Sequence, residues 1–150
     1  MRGTISICVM MLLLSACSKS HWDETLGRSE VDALLKAVVK AGLPSGAAEV
    51  YGRKATLGAT TVDVRFACTS QELSQFLVAS SVLADQLQAD KRTVLNSMSG
   101  ATWWKPDELS AVSGTQQNWK LESGNASGLV VAGSPKESDK MIVYLCVTIE

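Results

Sequence analysis

Histidine is almost absent: His21 is the only one in 150 residues. That removes most His-based metal sites and the Ser/His and Cys/His pairings of nucleophilic catalysis. Cys-x-x-Cys and glycine-rich strand-to-helix signatures are missing too, so neither a structural zinc site nor a phosphate cradle is legible and no cofactor is expected. Basic residues have no excess. Fourteen of them stand against fifteen acidic ones, which argues against nucleic acid as a partner, because that requires a clustered positive face. Aromatics are scarce at 5%, so any local concentration of them stands out. Disorder is also excluded, since 46% of the chain is hydrophobic and only 19% charged.

What is present begins at the N-terminus, MRGTISICVMMLLLSAC. Arg2 gives a short positive region, and Ile5 to Leu14 form an apolar run broken only by Ser6. The run falls short of the about 20 residues a transmembrane helix needs, and matches instead the core of a secretory signal peptide. Leu14-Ser15-Ala16-Cys17 completes it: a large apolar residue, two small ones, then cysteine. This stretch resembles the signal peptide and lipobox of bacterial lipoproteins. The resemblance covers residues 1–17 and implies cleavage before Cys17, acylation of Cys17, and a membrane partner reached through that lipid. Ser18, where an aspartate would imply retention in the inner membrane, implies the outer membrane facing the periplasm. Residues 1–16 are then a cleaved signal peptide, 17–28 a polar lipidated tether, and 29–150 a single domain.

Cys68 and Cys146 are left as one possible pair in an oxidising compartment. A disulfide is the expectation, with two separately buried thiols as the alternative. Pattern weighs on the second side. Cys68 shares a strand face with Val62, Val64 and Phe66, whereas Cys146 alternates away from Val143, Leu145 and Val147.

The domain reads as α+β. Ser29 and Asp32 suggest a capping box for a helix over 30–41, with Val31, Leu34, Leu35 and Val38 as its apolar stripe. Residues 48–56 and 60–69 form a hairpin, the second strand alternating apolar and charged residues. There Asp63 and Arg65 are expected on a solvated outer face. Thr69 and Glu72 form a second capping box, opening a helix over 70–87 with Leu73, Phe76, Leu77, Leu83 and Leu87 inward. A weaker apolar trio, Val94, Leu95 and Met98, follows, and Pro106 suits the start of a short helix. Three strands at about 116–122, 127–132 and 140–149 end the chain, the last apolar on both sides and therefore central. The order α-β-β-α-β-β-β implies an antiparallel sheet of about five strands with two main helices on one face.

For chemistry, Trp103-Trp104-Lys105-Pro106 is the most unusual local feature. In an extended segment one indole faces the core and the other solvent. Trp103, Trp104 and Lys105 are therefore the candidate partner-binding residues, the alternative being that both rings only seal the sheet. Trp119 is expected in the core. No catalytic residues are assigned. The favoured function is a lipid-anchored, non-enzymatic binding module that recognises an envelope protein, inhibits a toxin or hydrolase, or assists assembly. The rival is an envelope-polymer hydrolase using carboxylates such as Asp63, Asp107 or Glu108, which would have to converge in a pocket.

Overall fold

A computed structural model describes residues 24–90, 100–136 and 138–150. Seven strands make one fully antiparallel sheet: β1 (Glu24–Leu26), β2 (Ala48–Leu57), β3 (Ala59–Cys68), β4 (Gln88–Ala89), β5 (Leu109–Lys120), β6 (Asn125–Pro135) and β7 (Met141–Ile149). Their order across the sheet is β1-β2-β3-β7-β6-β5-β4. Two helices, α1 (Arg28–Val38) and α2 (Ser70–Ala79), pack with the sheet into the larger hydrophobic cluster.

The sheet thus has seven strands rather than about five. The two additions are edge strands too short to carry a periodic signal. Glu24–Leu26, inside the stretch read as tether, pairs with Lys54–Gly52 of β2 and buries Leu26. Gln88–Ala89 pairs with Gly114 and Ser113 of β5. Tertiary pairing creates both, since two or three residues cannot hold a strand alone.

Strict alternation divides the sheet's side chains between its faces. The helix face carries Val62, Val64 and Phe66 of β3, Val143, Leu145 and Val147 of β7, Val130 of β6 and Trp119 of β5. Phe66 meets Phe76 of α2 edge to face at 5.3 Å. Gly52 of β2 leaves the space that Val31 of α1 fills, because a Cβ there would lie 2.6 Å from a Val31 methyl. The opposite face gathers a second, smaller cluster around Tyr144, Leu129, Val131, Ile142, Cys146 and Trp104.

The helix ends differ from the pattern reading in instructive ways. Glu30, not Ser29, closes the start of α1, its carboxylate accepting the Gly27 N–H at 2.6 Å. Asp32 is engaged elsewhere, accepting the Leu43 N–H at 2.8 Å and pairing with Lys36. Lys40 in the left-handed region (φ 65°) follows the end of α1, ahead of Gly42. α2 stops at Ala79 instead of 87. Ser80 Oγ donates back to the Phe76 carbonyl at 2.8 Å, and Ser81 is left-handed at φ 61°. Leu83, expected on the inner face, is consequently exposed.

Cys68 and Cys146 are both free and buried. The disulfide expectation is corrected by register: Cys68 lies opposite Met141, whereas Cys146 lies opposite Asp63, five residues away along β3. The two thiols also belong to the clusters on opposite faces. A bridge requires Cα atoms within about 7 Å. Cys17, His21, Trp22 and the Val94, Leu95, Met98 trio lie outside the described residues.

Candidate functional site

Two neighbouring cross-strand rows on the face away from the helices hold most of the chain's unusual chemistry. In one, Arg53, Asp63, Cys146 and Leu129 lie side by side across β2, β3, β7 and β6. Two residues along, Tyr51, Arg65, Tyr144 and Val131 form the next. The solvated surface expected for Asp63 and Arg65 is not what forms. Asp63 is fully buried and takes Arg53 Nη2 at 3.0 Å, and the Arg65 side chain is only 14% exposed. Alternation correctly opposes these two residues to the valines, but cannot tell that this second face is also covered.

The Trp103-Trp104 segment lies on this face. Trp104 is buried, its ring edge-on to Tyr144 at 4.9 Å. Trp103 is half-buried and stacks on Tyr51 with centroids 5.8 Å apart and planes 12° off parallel. The backbone N–H of Lys105 donates to the Tyr144 hydroxyl at 3.2 Å, which fixes the segment to β7. One indole plugs the second cluster and the other reaches the surface, but not through the extended alternation expected: Thr102 and Trp103 form a turn closed by the Trp104 N–H on the Ala101 carbonyl at 3.0 Å, and the two indoles touch edge to face at 5.8 Å.

Between the segment and the sheet opens a cleft of about 340 Å³, lined by Tyr51, Arg65, Thr102, Trp103, Lys105 and Glu108. The Arg65 guanidinium lies 5.5 Å from the Tyr51 ring centre and 6.0 Å from that of Tyr144, within cation–π range. Both its terminal nitrogens donate to one oxygen of Glu49, each at 3.1 Å. Burial opposes the charge of Arg65, but Tyr144 and then Glu49 outweigh it and hold its pKa above the ordinary value. Its Nε is buried without a hydrogen-bond partner. Lys105 pairs with Glu108 at 3.1 Å, both well exposed.

Glu49 reaches Arg65 through an irregular backbone. A bulge interrupts the β2–β3 register between Ala48 and Tyr51, and Glu49 sits there at φ 49°, a region that disfavours side chains other than Asn, Asp and Gly. Bulges re-aim side chains next to functional sites. Neither Glu49 nor Tyr51 was singled out by sequence pattern. The available signal was the register itself, since a hairpin with Arg65 on its second strand places Tyr51 directly opposite.

Other concavities are less equipped. The wider one beside α1 is lined by Arg28, Asp32 and Lys36 among others, but those groups already serve the fold. Arg28 donates to the Ala47 carbonyl and Asp32 holds Leu43 and Lys36. The three carboxylates named for a hydrolase are differently placed: Asp63 buried on Arg53, Glu108 at the cleft on Lys105, and Asp107 exposed on the adjoining 3-10 turn (Pro106–Glu108). Among the described residues, no cluster of three or more His, Cys, Asp or Glu side chains is set to hold a metal ion.

No family model, curated protein or solved structure matches this chain. What the site can bind must be read from its own chemistry: stacked aromatic rings, one exposed ammonium, and a largely desolvated guanidinium held by Glu49 and Tyr144.

Proposed function

We propose that the chain is a lipid-anchored, periplasm-facing binding module of the bacterial envelope, non-enzymatic, which recognises a protein partner through the Tyr51–Trp103 cleft. The lipobox at Leu14–Cys17 supports the anchor and its compartment. The single observation that carries the binding role is the cleft, where Trp103, Tyr51 and Arg65 meet at the surface. Tryptophan, tyrosine and arginine are the residue types that dominate interface energetics, because each presents a large rigid contact with a polar handle. Here Tyr51 and Arg65 are held on strands and Trp103 by its contacts with Tyr51 and Trp104, so little freedom is lost on binding.

In-cell crosslinking of the full chain, followed by affinity purification and mass spectrometry, tests this reading. One reproducible envelope protein is expected with the parent chain, lost with Trp103→Ala and with Cys17→Ser. Trp103 is the residue to replace, because it is half-exposed. Truncating the buried Trp104 would cost about 3–5 kcal/mol of stability and confuse folding with binding. Recovery of the same partner by Trp103→Ala at undiminished yield would remove the cleft from the proposal.

A further inference from the structure

We propose that the cleft receives a carboxylate of the partner polypeptide on Arg65, and that Glu49 is an internal carboxylate holding that position until the partner displaces it. This rests on the protein-binding reading above and names the chemistry of its central contact.

Four observations carry it. First, the Glu49–Arg65 contact falls short of the geometry the two groups can reach. Arginine and carboxylate form their best pair with two parallel bonds to two oxygens. Here both terminal nitrogens share one Glu49 carboxylate oxygen, Nη1 reaches the Glu49 backbone carbonyl only at 3.5 Å, and Nε has no acceptor. Second, Glu49 is held in place by a left-handed backbone within a bulge, at φ 49°. Such a conformation for a non-glycine residue persists only when its surroundings over-determine it, and is enriched where a site switches or clamps a ligand. Third, the Glu49 side chain is 47% exposed while that of Arg65 is 14% exposed. The anion can leave for water, whereas the cation cannot follow.

The fourth observation is charge. Arg65, Lys105 and Glu108 line the cleft and Glu49, outside that lining, pairs with Arg65, so the four charges balance. Exchange of one carboxylate for another preserves that balance and spares the guanidinium any period without a counter-charge. A simple anion offers nothing else. A polypeptide carboxylate beside an apolar residue adds contact with the Tyr51 and Trp103 rings, of which Tyr51 is 40% exposed.

Removing the internal competitor should then strengthen binding, the reverse of what a purely structural ion pair predicts. The apparent affinity of a site that is open only part of the time is reduced by that fraction. The test uses the full chain in detergent and fluorescence anisotropy of three labelled probes. These are an N-acylated Ala-Phe-Glu-Ala amide, an N-acylated Ala-Ala-Phe with a free C-terminal carboxylate, and a neutral Ala-Phe-Gln-Ala amide. Binding of the first or second, but not the third, is expected, and the stronger of the two identifies a side chain or a chain terminus as the source. Glu49→Gln should tighten that binding by about tenfold, and Arg65→Lys should weaken it by a similar factor because the bidentate fork is lost.

Glu49→Gly provides a second version of the gain, removing the carboxylate with a residue at ease at φ 49°. Near-UV circular dichroism confirms that each variant is folded. Equal binding of the neutral peptide, no binding of either acidic probe, or unchanged or weaker binding in both Glu49 variants would overturn the inference. If those results coincide with a crosslinked partner that still depends on Trp103, the binding module stands and only its carboxylate chemistry falls.

Discussion

At the scale of single residues, the two cysteines show how a strand's alternation decides chemistry. Cys146 faces Asp63 across β3 and β7, and burial first, then that carboxylate, raises its pKa. Cys68, on the helix face, is pushed up to about 11 by burial with a smaller contribution from Glu72. The thiolate is the reactive form, so both should be inert in the folded protein. Iodoacetamide at pH 8 should leave both unmodified until denaturant is added, and a reductant should not change Tm. Labelling of either thiol at the rate of a free cysteine in native buffer would contradict the packing described. The linkage has a definite sign. The folded state holds its Cys68 proton more tightly than the unfolded chain, so this contribution is fully present below pH 9.0 and is lost as pH rises through about 11. Urea midpoints measured across that window should fall with pH, and less steeply in Cys68→Ala.

At the scale of elements, the start of α2 is a junction. Glu72 reaches back to the Thr69 N–H at 3.0 Å and also accepts the Gly46 N–H at 2.7 Å, so one carboxylate fastens the helix and the loop before β2. Bonds from Thr69 and then Gly46 hold its pKa below the ordinary value of 4.5. A lowered folded pKa makes its stabilisation present above about pH 4.5 and lost as pH falls through the lower folded value. Denaturation midpoints recorded from pH 7 to 3 should drop in the parent chain, with Glu72→Gln giving a lower plateau and a smaller acid loss. Thr69→Ala should cost about 1 kcal/mol by removing the side-chain half of the cap. This junction was legible as Thr-x-x-Glu because all its partners but Gly46 lie within three residues. The end of α2 was not. Trp119 Nε1 donates to the Ser80 carbonyl and Gln117 Nε2 to that of Ser81, so residues almost forty positions away hold the turn that ends the helix. The site divides in the same way. Trp103, Trp104 and Lys105 were visible as a local cluster. Arg65 was visible only as an outward residue of its strand, and its partners Glu49 and Tyr51 required the bulged pairing of β2 with β3.

At the scale of the whole molecule, the shortest described strand but one decides how the domain hangs from its proposed anchor. β1 enters the sheet with Glu24 opposite Lys54 and runs toward Leu26 opposite Gly52, with Glu24 and Lys54 ion-paired at 2.6 Å. If Cys17 carries the lipid, only residues 18–23 remain as tether, a reach of about 20 Å when extended, so the domain is held close to the bilayer. Glu24, opposite Lys54, and the turn at Gly58 lie toward the same end of the sheet. Tyr51 and Arg65 lie further along β2 and β3, away from that end. β1 also covers the edge of β2 and buries Leu26, whose side chain lies near where a Gly52 Cβ would point and joins the same cluster as Val31. Removing β1 would expose that cluster and open a long unpaired edge, the feature that promotes association between sheets. Two soluble truncations separate the roles of tether and strand. A chain beginning at Ser18 should unfold at the same urea midpoint as the acylated protein in detergent. One beginning at Arg28 should lose about 2 kcal/mol or more, the scale of one buried leucine together with its strand pairing. It should also form higher oligomers by light scattering. Equal midpoints for the two truncations would mean that β1 adds nothing to the sheet, and residues 24–26 would then lengthen the tether.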